Sequence, residues 1–182
     1  RRGPLPSRRK AISVSDSVDD ATARGAATVS ARAWGIKAAG ADSTDPKGAT
    51  IVVNSAPISI NAASAAEGKT GRADSGWFGY GLAVTYAEAK SEAWGITIGG
   101  GNRLAAVENS SGLTVKAKAN SAASAYGDDE SLCTADASAT AIGIQIGGGN
   151  RAASIFNSGS ITVDADAGVV FKSASEVGFP SG

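Results

Sequence analysis

The chain offers few residue types for catalysis or metal binding. Its 182 residues include no His, no Met and one Cys, Cys133. Without His there is no Ser–His or Cys–His nucleophile pair and no His metal ligand, and one Cys cannot form a disulfide within the chain. We therefore predict a protein that is not an enzyme and that holds no cofactor. Cys133 is expected to be a small buried residue, with an intermolecular disulfide as the alternative in an oxidising compartment.

The one acidic cluster is formed by Asp128, Asp129 and Glu130. Some polysaccharide lyases combine such carboxylates with Ca²⁺ and a basic residue. Here no second column of carboxylates repeats along the chain, and the Gly-Gly-x-Gly-x-Asp calcium repeat is absent. A solvated loop is the favoured interpretation, and we predict no metal site.

Two further patterns have simple structural explanations. The run at 99–103, Gly-Gly-Gly-Asn-Arg, lacks the Lys-Ser/Thr pair and the helix of a phosphate-binding loop, so it predicts a tight corner. A column of hydroxyl residues at one repeat position is expected to face solvent. Its members are Ser13, Ser59, Thr114 and Thr162.

The aromatic residues fall into two groups. Trp34 and Trp94 share one repeat position, which Ile142 occupies in the next copy. Stacked rings bind sugars when exposed, but packing between neighbouring strands is the favoured role. The second group lies in the longest insertion and is a candidate contact loop for a ligand or a neighbouring subunit, with local packing as an equal alternative. Its members are Trp77, Phe78 and Tyr80.

The elements that carry these residues are sequence repeats. Residues 93–103 and 141–151 share the pattern Gly-Ile-x-Ile-Gly-Gly-Gly-Asn-Arg at an offset of 48. Each leads into an Asn-Ser block and then an Ile/Leu-Ser/Thr-Val/Ile triplet, and such triplets begin at residues 12, 58, 113 and 161. Fixed segments separated by variable loops predict a solenoid, with the number of coils per repeat left open.

Alternation within the repeats predicts β-strands. Residues 113–119 and 161–167 alternate between apolar and polar types, and 135–141 alternates with Ala as its apolar residue. The 37 Ala and 24 Gly of the chain favour a narrow arm that widens where Ile and Val occur. We also predict glycine bulges that turn large residues inward and corner asparagines that stack in a ladder. The glycines are Gly35, Gly95 and Gly143, and the asparagines are Asn54, Asn109 and Asn157.

The repeated blocks resemble the passenger regions of bacterial autotransporters and related surface adhesins. The shared motifs are Gly-Ile-x-x-Gly-Gly, then Ile-x-Asn-Ser-Gly-x-Ile-x-Val and an Ala-alternating stretch, over roughly residues 11–170. The resemblance implies an all-β parallel β-helix (a β-solenoid), right-handed, with three to four irregular repeats of about 50 residues. It also implies an extracellular or cell-surface location, and it implies no activity.

Charge divides the chain into a basic start and an acidic body, although 17 positive and 17 negative side chains balance overall. The basic start, with its Gly and Pro residues, predicts an extended arm over residues 1–10 that docks on a neighbouring acidic subunit, with contact to a nucleic acid or an anionic surface as the alternative. The solenoid is predicted over 11–170 and a tail or linker over 171–182. The docking residues are Arg1, Arg2, Arg8, Arg9 and Lys10.

A short solenoid has two ends with unpaired strand edges, and we find no segment that predicts a cap for either end. Exposed edges associate, and a head-to-tail interface propagates as an open filament. We therefore expect a non-enzymatic subunit of an extracellular or cell-surface fibre, with other copies of itself as partner and no nucleic acid. The alternatives are an adhesin or passenger fragment whose insertion loops bind a glycan or host surface, and a polysaccharide-active enzyme. A piece of a longer passenger chain, with covalent neighbours at its ends, fits the same pattern.

Overall fold

The computed structural model is an all-β protein in which every described element is a strand. It describes residues 7–13, 17–18, 22–40, 48–74, 81–127 and 130–175, with side chains described within 23–40, 48–70, 81–127 and 130–172. The strands are β1 (Ser7–Ser13), β2 (Ser17–Val18), β3 (Thr22–Ala38), β4 (Ala49–Asn54), β5 (Ile58–Asp74), β6 (Leu82–Ile98), β7 (Leu104–Asn109), β8 (Leu113–Gly127), β9 (Glu130–Ile146), β10 (Ala152–Asn157) and β11 (Ile161–Ser175).

The strands form three sheets in which every pair is parallel. Sheet 1 has the order β1-β5-β8-β11, with β2 also paired to β5; sheet 2 is β3-β6-β9 and sheet 3 is β4-β7-β10. Parallel neighbours come from different passes of the chain, because a tight hairpin joins only antiparallel strands. The chain visits sheet 2, then sheet 3, then sheet 1 on each pass, an order consistent with a parallel β-helix.

Each pass of the chain is one sequence repeat. We name the passes rung 1 (β3, β4, β5), rung 2 (β6, β7, β8) and rung 3 (β9, β10, β11). Equivalent repeat positions are neighbours across the rungs, since Ile58 lies opposite Leu113 and Leu113 opposite Ile161. One repeat therefore supplies one strand to each sheet, which is the coil number that the sequence left open.

The pairing of β1, near the start of the chain, differs from what the repeat pattern predicts. Ile12 lies opposite Glu67, not opposite Ile58, because β1 pairs with the middle of β5 at residues 62–68. The alignment of the triplet at residue 12 with the later triplets is therefore wrong. Residues 7–10 of the predicted arm belong to β1 and are paired within the chain, and β11 extends the strand region to Ser175.

The core has a narrow arm and a wide end. In the arm, sheets 1 and 2 face each other through small side chains such as Ala27, Ala87 and Ala119. At the wide end, where sheet 3 joins them, larger side chains such as Ile96 and Leu113 fill the space between three sheets. The distribution of Ala against Ile, Val and Leu along each repeat thus sets the width of the molecule.

Buried hydroxyl groups show how close sheets 1 and 2 lie to each other in the narrow part of the core. The Ser91 hydroxyl in sheet 2 donates to the Lys118 carbonyl in sheet 1 at 2.6 Å and lies 2.8 Å from Ser64 Oγ. In the opposite direction, Ser121 of sheet 1 donates to the Ala87 carbonyl of sheet 2 at 2.7 Å. A side chain with one carbon spans this gap, so larger side chains have no room there.

Candidate assembly surface and aromatic groove

Gly35, Gly95 and Gly143 form a glycine column in sheet 2. Before this column every odd-numbered or every even-numbered residue of a strand faces the core, and after it the other set does. In β6 the buried positions are odd-numbered up to Ala93 and even-numbered from Ile96 onward, with Gly95 between them. A Cβ on Gly95 would lie 2.2 Å from the carbonyl oxygen of Gly143, so the rungs approach too closely for any side chain here. The column aligns two sets of neighbours, namely Trp34, Trp94 and Ile142 outside and Ile36, Ile96 and Ile144 inside.

The asparagines Asn54, Asn109 and Asn157 form a ladder of side-chain amides between sheets 3 and 1. Asn54 Nδ2 donates to Asn109 Oδ1 at 2.7 Å, and Asn109 Nδ2 donates to Asn157 Oδ1 at 2.6 Å. Asn109 also donates to the Ser111 carbonyl at 2.8 Å, and Asn157 donates to the Gly159 carbonyl at 2.6 Å. Each amide therefore holds its own corner, and the bonds between rungs all run from rung 1 towards rung 3.

A second ladder, not predicted from the sequence, lies between sheets 2 and 3. Asn102 Nδ2 donates to Asn150 Oδ1 at 2.8 Å and to the Gly99 carbonyl at 2.7 Å, while Thr50 Oγ1 donates to Asn102 Oδ1 at 2.8 Å. The sequence feature that could have predicted this ladder is the shared repeat position of Asn102 and Asn150. The predicted tight corner is built with positive φ at Gly101 (84°) and Gly149 (80°).

The inward side chains of rung 3 have no covering rung among the described residues. Leu113 in rung 2 is 1% exposed, but its neighbour Ile161 in rung 3 is 40% exposed. Val107 and its neighbour Ile155 show the same contrast, at 1% and 53%. Rung 3 therefore presents apolar side chains together with the strand edges of β9, β10 and β11, which pair with no further described strand.

The rung 1 end is uneven because, among the described strands, only those of sheet 1 continue beyond it. Sheets 2 and 3 end at β3 and β4, whereas sheet 1 adds β1 and β2 outside β5. β1 also packs against β3, and the inward side chains of β3 are buried, as Ala23 (2%) and Ala27 (4%) show. The two ends of the molecule thus differ, with one covered in part and the other open.

The two edge strands of sheet 2 carry opposite charges. β3 at the rung 1 end contains Arg24, Arg32 and Lys37 and no acidic residue. β9 at the rung 3 end contains Glu130 and Asp136 and no basic residue. Complementary charge of this kind favours the approach of a rung 3 end to a rung 1 end.

Ion pairs on the outer faces connect successive rungs. Arg32 Nε in rung 1 lies 2.6 Å from Glu92 Oε2 in rung 2, and Lys90 Nζ, on the same strand as Glu92, lies 2.9 Å from Glu92 Oε1. These contacts lower the pKa of Glu92, with the hydrogen bond from Lys90 as the largest cause. Lys118 Nζ lies 2.9 Å from Asp166 Oδ2 in the next rung, and that hydrogen bond raises the pKa of Lys118.

A shallow aromatic groove crosses the outer face of sheet 2. The indole rings of Trp34 and Trp94 stack with centroids 5.0 Å apart and planes at 6°, and Trp34 is 40% exposed. Lys37 Nζ lies 5.3 Å from the centroid of the Trp34 ring. Together with Thr97 and Gln145, these residues line a groove of about 450 Å³, which is within the size range of small-ligand sites.

Several predicted sites fall outside the described residues. These are the contact loop and parts of the acidic cluster and the docking arm, namely Trp77, Phe78, Tyr80, Asp128, Asp129, Arg1 and Arg2. Glu130 begins β9. The remaining arm residues, Arg8, Arg9 and Lys10, lie in β1 opposite Ala63, Ser64 and Ala65.

The hydroxyl column has three aligned members rather than four. Ser59, Thr114 and Thr162 are neighbours in sheet 1, but Ser13 lies opposite Gly68 and does not belong to the column.

Cys133 is half-buried in the narrow part of the core, between sheets 1 and 2. Its Sγ lies 3.0 Å from the Lys172 carbonyl oxygen, and burial is the main cause that raises the pKa of the thiol. A raised pKa keeps the thiol protonated and weakens it as a nucleophile.

The described parts of the chain contain no group of three or more side chains suited to hold a metal ion. Nor do they include a helix with the length and apolar character needed to cross a membrane. No known family model matches the chain, and no curated protein or solved structure matches it significantly. The features of the described residues that bear on function are the rung 3 end, the corner ladders and the aromatic groove.

Proposed function

We propose that this chain is a right-handed β-solenoid of about three irregular repeats that serves as a structural subunit of an extracellular or cell-surface fibre. The observation that carries the proposal is the open rung 3 end, where apolar side chains equivalent to buried ones in rung 2 are exposed. A second copy whose rung 1 covers them would continue all three sheets. The mechanism is mechanical, through backbone and amide ladders that cross from copy to copy, and involves no catalysis or cofactor.

The strand lengths support this head-to-tail arrangement. β9 and β3 both have 17 residues, and β10 and β4 both have 6. Rung 3 of one copy and rung 1 of the next therefore match along their whole edges in sheets 2 and 3. The opposite charges on β3 and β9 favour the same pairing over contact between two like ends.

The amide ladders support it as well, because they have a direction. Among the described residues, the Nδ2 of Asn157 donates one hydrogen to the Gly159 carbonyl and has no further partner for the other. In the rung below, the corresponding second hydrogen of Asn109 bonds to the next Asn. A stacked copy would bring its Asn54 to this position, with its Oδ1 as the acceptor.

Gly148 provides a sharp test of the interface. A Cβ on Gly40 would lie 1.8 Å from the Gly100 carbonyl oxygen, and one on Gly100 would lie 2.0 Å from that of Gly148, but a Cβ on Gly148 meets nothing within 4 Å. In the proposed stack, Gly148 faces Gly40 of the next copy. We therefore expect Gly148→Ala to leave the subunit folded and to raise the critical concentration for filament growth at least about tenfold.

The measurement is light scattering and electron microscopy of the purified chain at rising concentration, with circular dichroism to verify the fold. Ser138→Ala, on the exposed outer face of β9, is the matched control and should assemble like the wild type. A wild type that stays monomeric contradicts the proposal, as does Gly148→Ala protein that assembles normally.

The resemblance to autotransporter passengers and adhesins supports the proposed location at the cell surface. It also supports a second candidate function, glycan binding, which the aromatic groove favours. Exposed indole rings bind the apolar faces of sugars, and the Lys37 ammonium and the Thr97 and Gln145 side chains offer partners for hydroxyl or carboxylate groups. The ligand class would be a short acidic oligosaccharide lying across the rungs.

A glycan-array experiment tests this second candidate. Trp34→Ala should abolish binding, and Lys37→Gln should weaken acidic glycans more than neutral ones, because only the acidic ones pair with the ammonium. Tyr126→Ala removes an exposed aromatic ring (46% exposed) from sheet 1 and serves as the control. Binding that survives Trp34→Ala but is lost in Trp77→Ala assigns the ligand to the insertion loop, and no binding by the wild type removes this candidate.

A further inference from the structure

The position that a stacked copy needs in sheet 1 is already occupied. A copy that places its β9 on β3 and its β10 on β4 must place its β11 on β5, because the chain visits the sheets in a fixed order. β5 is paired on that side with β1 and, near its end, with β2 at Ala73 and Asp74. β1 and the incoming β11 therefore compete for one edge.

The strand register shows where the overlap lies. β1 lies opposite residues 62–68 of β5. The positions equivalent to Ala62 and Gly68 are Ala117 and Ala123 in β8, and then Ala165 and Phe171 in β11. Residues 165–171 of an incoming copy would thus take the place of Ser7–Ser13. Only one of these two segments can pair with β5 at a time.

The exchange favours the incoming copy. β1 has 7 residues and β2 has 2, whereas β11 has 15 and arrives together with β9 and β10, which would pair with β3 and β4. Inward side chains of rung 3 such as Ile161 and Phe171, which are 40% and 67% exposed, become covered in the same step. β1 must leave first, however, and its loss uncovers the inward side of β3 before the new contacts form.

We propose that β1 is a removable cap that controls assembly, and that each junction forms when β11 of one copy displaces β1 of the next. This inference rests on the proposed head-to-tail stacking. The partner is a second copy of this chain, and the device keeps a newly folded subunit monomeric until its rung 1 end meets an open rung 3 end. In a filament, the terminal copy at the rung 1 end retains its cap, and the other end stays open.

A reversible lock on β1 tests the proposal. Lys10 and Ala65 are partners in the β1–β5 register, so Lys10→Cys with Ala65→Cys, in a Cys133→Ser background, should form a disulfide that holds β1 in place. The oxidised protein should remain monomeric at concentrations where the wild type forms filaments, and reduction should restore growth. Thiol titration verifies that the bond has formed, and the Cys133→Ser single variant is the control.

The opposite change gives an independent readout. Lys10→Pro with Ala11→Pro removes neighbouring N–H groups from β1 and weakens its pairing with β5, so filament growth should start with a shorter lag than that of the wild type. Filaments from the oxidised double-cysteine protein overturn the cap but leave the stacking intact. Absence of filaments from every variant, including the wild type, overturns both.

Discussion

At the scale of the residue, the rungs can approach each other closely at Gly95 because glycine has no side chain. A Cβ there would lie 2.2 Å from the Gly143 carbonyl oxygen and 3.0 Å from Leu113 Cδ2 and Val115 Cγ2. We expect Gly95→Ala to lower the free energy of unfolding by more than about 3 kcal/mol, because a rigid backbone oxygen must move as well as two packed side chains. Urea denaturation followed by circular dichroism measures the loss.

Gly143→Ala is the matched control for this substitution. It has the same repeat position, but its Cβ would meet only Ile161 Cγ2 and Val163 Cγ2, both at 3.1 Å, and no backbone of a further described rung. The loss should be about 1 kcal/mol, since the side chains of rung 3 are exposed and free to shift. Equal losses for Gly95→Ala and Gly143→Ala would show that the close approach of the rungs is not the cause.

Glu92 makes stability depend on acid pH. Its pKa lies below the ordinary value of 4.5, chiefly because of the Lys90 hydrogen bond, with Arg32 as a second cation. A lowered pKa in the folded state stabilises the fold fully above the ordinary pKa, and this contribution is lost as pH falls through the folded-state value. Glu92→Gln should therefore cost no more than about 1 kcal/mol at pH 7, since solvent screens both cations.

The check is urea denaturation of the wild type and Glu92→Gln at pH 7 and at a pH well below 4.5. The two proteins should differ at pH 7 and converge in acid. A gap that is the same at both pH values would assign the effect of Glu92 to packing rather than to charge.

Residue types predicted some of these contacts and not others. Asn54, Asn109 and Asn157 recur in one block, so stacking of their amides followed from the repeat alone. Asn102 and Asn150 recur just as regularly, but they follow three glycines, and the turn chemistry of the glycines explained the segment without them. Thr50 extends that ladder in rung 1, but it lies at the repeat position of Ala105, so the repeat does not point to it.

At the scale of the element, the facing surfaces of sheets 1 and 2 allow only small side chains. Ala27 is 4% exposed and faces the arm, while Ala26 beside it on β3 faces outward. We expect Ala27→Leu to lower the free energy of unfolding by about 2–3 kcal/mol because the added carbons have no space. Ala26→Leu adds the same volume on the outer face and should change stability by less than about 0.5 kcal/mol.

Thermal or urea denaturation of the two leucine variants measures this difference. A similar loss in both variants would mean that leucine is unfavourable on either face of this strand. Lack of space between the sheets would then not be the cause.

The strands of rungs 1 to 3 were predictable because each repeats a long alternating pattern with its own spacing. β1 was not, since its sequence alternates weakly and its basic residues favour a solvated arm over a paired strand. Its place is decided by the edge of β5, which lies 55 residues further along the chain. A triplet such as residues 12–14 is too short to fix a register, and pairing with a complete edge overrides it.

At the scale of the whole molecule, an all-β architecture of parallel strands followed from the sequence, but the inequality of the two ends did not. It arises because sheet 1 holds two more described strands, the short β1 and β2, than sheets 2 and 3, and these strands precede the first complete repeat. The proposed stacking and the proposed cap both derive from this inequality.

The direction of the bonds between rungs has a mechanical consequence. Strands lie across the long axis of the proposed fibre, so the backbone and amide bonds that join neighbouring rungs point along it. A pulling force loads all of these bonds together, in three sheets at once. Within a copy the rungs are also connected covalently by the chain, whereas between copies they are not. Overloaded fibres would therefore fracture between copies, releasing lengths of whole subunits whose new ends are again able to join.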